Sequence, residues 1–309
     1  MKLSIVSTLY KSSSSIADFY VRTGNAAKKL VGNDYELILV NDGSPDDSLE
    51  IVLNLARQDD HLTVIDLSKN FGHHKAIMTG LAYSTGDIIF LIDSDLEEDP
   101  EYMLPFEAEM KKKKCDVVYG VQQIRRGYFI DRFVGSLFYK FFNLLSGLNI
   151  SSSILTARLM TRRYVKALLL HKEREIFLAG LWHITGFDQQ YYEVKKHSIS
   201  NTTYTLRLKI ALLINSITSF SNAPLIFIFY LGILIFVISA FYLTYLIIIW
   251  SFTDYSLSGW TSVIASIWLL GGLIISFIGV IGIYISKIYS EIKQRPLTII
   301  RKIYGKKYN

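Results

Sequence analysis

Residues 88–101, IIFLIDSDLEEDPE, close a short apolar run with two aspartates spaced one residue apart, Asp93 and Asp95, and place Glu97 two positions further on. A short continuous apolar run bounded by polar residues reads as a buried strand. Side chains alternate faces along a strand, so Asp93 and Asp95 leave its C-terminal end on the same side. Hard oxygen ligands suit Mg²⁺ or Mn²⁺, and Mg²⁺ is commonly held by one or two carboxylates together with substrate phosphates. The chemistry implied is a metal-assisted site for a diphosphate. The plainer alternative is an acidic loop that caps the next helix, with Asp99-Pro100 at its start.

A strand that delivers carboxylates needs a sheet around it. Strand candidates at residues 3–7, 36–40, 62–66, 88–92 and 116–119 alternate with helix-like stretches at 15–30, 46–58 and 75–83. This alternation predicts an α/β fold, with a mainly parallel sheet and helices on both faces. Ligands of such sheets bind beyond the C-terminal strand ends, and Asp42, Ser68 and Asp93 all fall just after those ends. The opening MKLSIVSTLY has polar residues too early for a signal peptide and reads as the first strand. The single cysteine, Cys115, excludes an intramolecular disulfide framework and cannot form a zinc site alone, which leaves it the role of a small, partly buried residue. The run 111–114, four lysines, suits a solvated helix end favoured by the helix dipole.

Composition changes after residue 222. Residues 225–250 and 263–285, runs of 26 and 23, contain no charge. A helix crossing a bilayer needs roughly 20 apolar residues, so two transmembrane helices are expected, against the alternative of two buried core helices. The intervening loop has no Lys or Arg and a single acid, Asp254, whereas residues 287–309 carry seven basic residues against Glu291. Basic segments stay in the cytoplasm, which predicts a multi-pass protein of the cell (inner or plasma) membrane with its soluble domain and both termini cytoplasmic. The net charge of +6 is directed at anionic lipid, and no stripe of basic and aromatic residues marks a nucleic-acid groove. The expected division is a soluble domain at 1–222, a helical hairpin at 223–287 and a basic tail at 288–309. Apolar stripes at 132–148 and 204–220 suit either core helices or helices in the membrane interface.

Five segments occur in an order that resembles one family. They are ELILVNDGSPDDS (36–48), LSKNFGHHKA (67–76), GDIIFLIDSDLEEDPE (86–101), ARLMTRR (157–163) and ITSFSNAPL (217–225), followed by the paired apolar runs. The chain is similar to family 2 glycosyltransferases of GT-A fold, and among them to the polyprenyl-phosphate glycosyltransferases, a group that includes bactoprenol glucosyltransferases and dolichol-phosphate mannosyltransferases. The resemblance covers essentially the whole chain. It implies a nucleotide-sugar donor, UDP-linked in the first instance, and a Mg²⁺ or Mn²⁺ ion held by Asp95 with Asp93 beside it and Glu97 where many members have Gln. It places Thr8, Tyr10, Asn41, Asp42, Lys69, Gly72, Lys75 and Ser94 about the donor. It also places Arg132 and Ser136, helped by Arg125 and Arg126, about the phosphate of a polyprenyl acceptor. The resemblance is also compatible with a homo-oligomer.

Four departures bear on substrate identity. Asn41 stands where the family usually has the first of two Asp, so position 41 both accepts and donates where an Asp only accepts. Gln122 replaces a frequent Arg, Thr156 and Ala157 replace acidic and aromatic residues before RLM, and only Tyr204 and hydroxyl character survive in SNTTY (200–204). His73 and His74 have no companion metal ligands nearby, which suits packing rather than coordination. The expected reaction is inverting sugar transfer to a polyprenyl phosphate for cell-surface glycan assembly or modification. A second enzymatic reading is transfer to a lipid-linked oligosaccharide. A third reading, outside enzymology, is an inactive membrane-anchored nucleotide-binding scaffold. A processive polysaccharide synthase is disfavoured by the missing Gln-x-x-Arg-Trp segment.

Overall fold

The computed structural model describes residues 1–122, 153–195, 197, 217–218, 221–252 and 259–306. Strands β1 (Leu3–Leu9), β2 (Tyr35–Asn41), β3 (Leu62–Leu67) and β4 (Ile88–Leu91) are parallel neighbours, connected through helices α1 (Ile16–Val31), α2 (Ser48–Ala56) and α3 (His73–Tyr83). Every residue of β1, β2 and β4 is buried. Helices cover both faces, and this is why these strands read as near-continuous apolar runs. Helix α3 lies close on β1 and β2 because position 80 is glycine; a Cβ there would stand 2.5 Å from Val6 Cγ1 and 3.0 Å from Val40 Cγ2.

The chain then passes a 3₁₀ turn at Pro100–Tyr102, helix α4 (Met103–Lys113) and β5 (Val117–Gln122). Lysines close α4 as expected, with Glu109–Lys113 paired at 3.2 Å one turn apart. After the undescribed stretch come β6 (Ile154–Thr161), α5 (Arg162–Leu168), α6 (Leu178–Ile184) and β7 (Gln189–Val194). Strand β6 runs antiparallel between β4 and β5, whereas β7 is parallel to β5. The buried Glu98, just past the aspartates, accepts from the backbone N–H groups of Thr156 (3.2 Å) and Ala157 (2.6 Å) and so ties that loop to β6. Arg158 is buried, donates to the carbonyls of Leu155 and Thr156 and stacks on Trp182, and burial pulls its pKa down to about 9.

The basic segment after residue 294, expected as a tail, returns to the sheet: β8 (Ile300–Tyr304) pairs antiparallel with β3 and completes the order β7-β5-β6-β4-β1-β2-β3-β8. A mainly parallel α/β sheet of the GT-A type is therefore observed. The described residues fall into two units, one reaching to 197 and resuming at 295–306, the other lying within 217–294. The second holds α7 (Ala223–Phe252) and α8 (Trp260–Ile292). Where two membrane-crossing stretches were expected, one stretch among the described residues, Leu269–Ile292, is long and apolar enough to cross, and α7 contributes the shorter apolar stretch Ala223–Ile235. The expected helix at 132–148 lies outside the described residues, as does that at 204–220 apart from 217–218.

Candidate functional site

The C-terminal ends of β1 to β4 lie side by side, and the loops leaving them hold one another through hydrogen bonds. Asn41 ends β2 as register partner of Leu9 on one side and Asp66 on the other. Its Nδ2 donates to Asp66 Oδ1 at 2.8 Å, and its Oδ1 accepts from Ser44 N–H at 3.2 Å. These partners settle which amide atom is which, because a carboxylate accepts and a backbone N–H donates. Asp42 is buried and accepts from Phe71 N–H (2.7 Å) and Gly72 N–H (3.0 Å), holding the NFG loop against β2. Burial raises its pKa even against those two bonds and the nearby His73. Gly72, at φ +99°, opens α3, and Lys75 N–H closes the first turn on Gly72 O at 3.0 Å.

Ser94 is buried beneath the loop after β1, donating to Thr8 O at 2.8 Å and lying 3.0 Å from Ser12 Oγ. Tyr10 is exposed at that loop with Lys11 Nζ 5.7 Å from its ring centre, and Lys69 Nζ lies 5.3 Å from the Phe71 ring. Burial and hydrogen bonds from Ser44, Ser48 and Ser13 act in opposite senses on Asp46, and the bonds win, so its carboxyl titrates well below the usual range. Residues 10–15 and 41–48 are thereby pinned together around a permanent carboxylate.

Asp93 follows β4. Its Oδ1 is buried and accepts no hydrogen bond, while His73 Nε2 stands 3.4 Å away and His73 Nδ1 lies 3.0 Å from Thr8 Oγ1. A buried carboxylate oxygen without a donor fits a hard cation such as Mg²⁺ or Mn²⁺. The expected trio of ligands is not gathered in advance, since among the described residues no group of three His, Cys, Asp or Glu side chains is poised around one point. Asp95 instead accepts from Glu97 N–H at 3.0 Å across Leu96, which turns the chain at φ 60°. Carboxylates crowded together without a cation repel one another, and an ion shared with a diphosphate needs only one or two of them.

His74 donates from Nδ1 to Ile176 O at 2.9 Å, and burial lowers its pKa, which makes it a neutral packing residue. Arg125, Arg126, Arg132 and Ser136 lie outside the described residues. Asp66 and Arg301 have no place in the sequence expectation for the site, and His73, expected to pack, stands beside Asp93. His73 reaches Asp93 because α3 begins at that point, and Asp66 and Arg301 meet at 3.2 Å across 235 residues of chain.

The model of glycosyl transferase family 2 matches residues 4–169, from β1 past the end of α5. A Mycobacterium tuberculosis (strain CDC 1551 / Oshkosh) protein grouped by name with the glycosyltransferases is 50% identical over 305 residues, 99% of this chain and 89% of its own. YkcC of Bacillus subtilis (strain 168), an uncharacterized glycosyltransferase, is 35% identical over 308 residues, 99% of this chain and 95% of its own. The SfII prophage-derived bactoprenol glucosyl transferase of Shigella flexneri is 32% identical over 305 residues, 98% of each chain. With the family model running from the first strand past α5 and these relatives aligned along nearly the full length, the protein belongs to glycosyl transferase family 2 and is a glycosyltransferase.

Proposed function

We propose that the protein transfers a sugar from a nucleotide diphosphate sugar to a polyprenyl phosphate at the cytoplasmic face of the cell membrane, with inversion at the anomeric carbon. The observation that carries this reading is the presence, in a family 2 chain, of a 33-residue helix whose apolar side chains stand exposed along its length, among them Ile275 and Ile292, each 72% exposed. Apolar surface on that scale belongs against lipid or a partner. Relatives named as bactoprenol glucosyl transferases, similar over 98% of this chain, support a lipid acceptor. A polyprenyl tail is held in the bilayer by about 0.8 kcal/mol per buried methylene, so the enzyme must come to the headgroup.

In this reading residues 1–222 form the catalytic domain, joined by the returning strand, and 223–287 form a two-helix membrane hairpin. Thr8, Tyr10, Asn41, Asp42, Lys69, Gly72, Lys75 and Ser94 shape the donor site. Asp93 and Asp95, with Glu97 adding negative charge, hold Mg²⁺ or Mn²⁺, which when bound offsets the charge of the departing diphosphate. Arg132 and Ser136, with Arg125 and Arg126, hold the acceptor phosphate. A phosphate monoester has its second pKa near about 6 and is already nucleophilic at neutrality, so no strong general base is required. Its oxygen forms the new bond to the anomeric carbon as the bond to the nucleoside diphosphate breaks on the opposite face.

The test is sugar transfer by the purified full chain in liposomes, with undecaprenyl phosphate and a panel of UDP-, GDP- and dTDP-sugars, with and without Mn²⁺ or Mg²⁺. A metal-dependent glycolipid from one donor is expected, inverted in configuration, with Asp95→Asn slower by about 10²–10³. Nucleotide binding without any glycolipid would redirect the reading to a lipid-linked oligosaccharide acceptor or a scaffold. Retained configuration would overturn direct displacement.

A further inference from the structure

We infer that Arg301, on the strand that follows the two long apolar helices, is a positioning residue for the donor site and acts through Asp66 on Asn41, whose amide is matched to the Asp66 carboxylate. The inference rests on the donor-site reading above and extends it to the end of the chain.

The β3–β8 register slips by one residue between Asp66 and Leu67: Asp66 faces Lys302 and Leu67 faces Ile300, so Arg301 has no partner across the ladder. A bulged residue is re-aimed relative to its neighbours. Arg301 Nη1 reaches Asp66 Oδ2 at 3.2 Å and Nη2 donates to Ser68 O at 2.7 Å. The docking has two further fastenings. Ser68 N–H donates to Ile299 O at 2.8 Å, and the hydroxyls of Thr79 and Thr298 lie 2.8 Å apart.

From Asp66 the bonds continue without a gap. Asp66 Oδ1 accepts from Asn41 Nδ2, Asn41 Oδ1 accepts from Ser44 N–H, and Ser44 Oγ accepts from Lys11 N–H at 2.7 Å. One line of hydrogen bonds therefore joins the returning segment to both loops of the donor site. Asn41 and Asp66 are buried to within 2%. An aspartate at 41 would set two carboxylates face to face at the distance now spanned by 2.8 Å, and such a pair cannot both ionise. An Asp at position 41 could face Asp66 only by holding a proton, whereas the amide donates to Asp66 without one.

The experiment measures UDP binding by calorimetry and donor KM and kcat by turnover, on the full-length protein in detergent with Mg²⁺. Arg301→Ala is expected to weaken UDP binding and raise donor KM by about three- to tenfold, with kcat within about twofold and acceptor KM unchanged; a half-exposed charge-assisted bond supports no larger effect. Asn41→Asp is expected to lose about tenfold or more in UDP affinity, and Asn41→Asp/Asp66→Asn to recover to within about threefold of wild type. In an Asp66→Asn background Arg301→Ala costs less than it does in the wild type, the remainder being the bond to Ser68 O. Arg301→Gln, which still donates to Ser68 O, serves as a milder variant if the alanine loosens the segment. Failure of the reciprocal swap to recover binding, or losses from Arg301 and Asp66 that simply add, would overturn the inference. A wild type that binds none of UDP, GDP or dTDP would overturn the donor-site reading itself, and the inference with it.

Discussion

Gly43 lies where the loop after β2 meets the loop after β3, and alanine there measures how much of the candidate site rests on that contact. A Cβ at position 43 would stand 2.5 Å from Asn70 N and 2.6 Å from the Lys69 carbonyl carbon, where ordinary contact begins at 3.4 Å. The 69–72 backbone would have to retreat by about 0.9 Å (3.4 − 2.5). Moved that far, the 2.7 Å bond from Phe71 N–H to Asp42 stretches to about 3.6 Å, beyond hydrogen-bonding range. The φ of +61° adds a left-handed penalty of about 1–2 kcal/mol for a residue with a Cβ. Losing a charge-assisted bond adds about 1.5–3 kcal/mol, for a total of roughly 3–5 kcal/mol. Gly32 provides a backbone-only comparison, because nothing lies within 4 Å of its Cβ position; at φ +64° and ψ −128° an alanine there carries a conformational penalty of about 1–3 kcal/mol and no steric one. At about 2–4 °C per kcal/mol for a domain of this size, Gly32→Ala lowers the thermal midpoint by about 2–12 °C and Gly43→Ala by about 6–20 °C, so the amide protection at the 69–72 loop is the deciding readout. Hydrogen exchange at Phe71 and Gly72 accelerates in the second variant only. Equal midpoints for the two variants, with both amides still protected, would refute the claim that loop-to-loop backbone contact holds the site.

Glu98 is the acceptor for two buried β6 amides, so Glu98→Ala is expected to cost about 1–3 kcal/mol for each orphaned donor. Glu98→Gln, keeping one carbonyl oxygen, costs roughly half of that in urea unfolding, and equal effects would show that the two bonds contribute nothing separable. Arg22 Nη2 donates at 2.6 Å to both Asp99 and Glu101. Burial alone would raise Asp99, but bonds from Arg22 and His197 outweigh it, and the Arg22 bond leads in lowering Glu101, so both carboxyls titrate below their ordinary 3.8 and 4.5. A depressed carboxyl stabilises the fold above its ordinary pKa and loses that contribution as pH falls through the folded value. Wild type is therefore expected to lose thermal stability as pH drops below about 4.5, and Arg22→Ala to show a flatter profile there; parallel profiles would remove Arg22 from the account.

The parallel half of the sheet is legible in the sequence because strands covered on both faces must be apolar throughout. The expected stretches 3–7, 36–40 and 62–66 differ from β1 to β3 by one or two residues at their ends. The other half hides for physical reasons. In β6 the sequence ILTARLMT places a guanidinium in the core, made tolerable by carbonyl acceptors and the Trp182 face, which no hydropathy pattern announces. Strands β7 (QQYYEV) and β8 (IRKIY) lie at the two edges of the sheet, where polar side chains are welcome. The charge of β8 made its segment look like a tail. At the site, Asp93 and Asp95 announce themselves by spacing, whereas the contact of Asp66 with Arg301 spans 235 residues and has no local signature.

Under the membrane reading proposed above, that long-range contact also constrains how the helices could cross a bilayer. Residues 300–304 pair with β3, so they share a compartment with residues 62–67. Were Leu269–Ile292 to cross the bilayer alone, those two segments would stand on opposite sides. A chain that leaves a folded unit and returns to it crosses an even number of times, so a crossing by α8 requires a second. Helix α7 has 30 residues, about 45 Å at 1.5 Å per residue, enough for a hydrocarbon core of about 30 Å. Cys115 is buried and is the protein's sole cysteine, so Cys115→Ser gives a clean background for introduced thiols. In that background Asp254→Cys, between the helices, is expected to react with a membrane-impermeant maleimide only from outside intact cells. Lys306→Cys, just past β8, and Val21→Cys, exposed on α1, should react only in inverted vesicles. Labelling of Asp254→Cys and Lys306→Cys from the same side would mean that α7 and α8 lie along the surface rather than through it. Labelling of Lys306→Cys from outside while Val21→Cys stays inside would mean that β8 does not pair with β3 in the membrane, and both the even-crossing argument and the role of Arg301 would fall together.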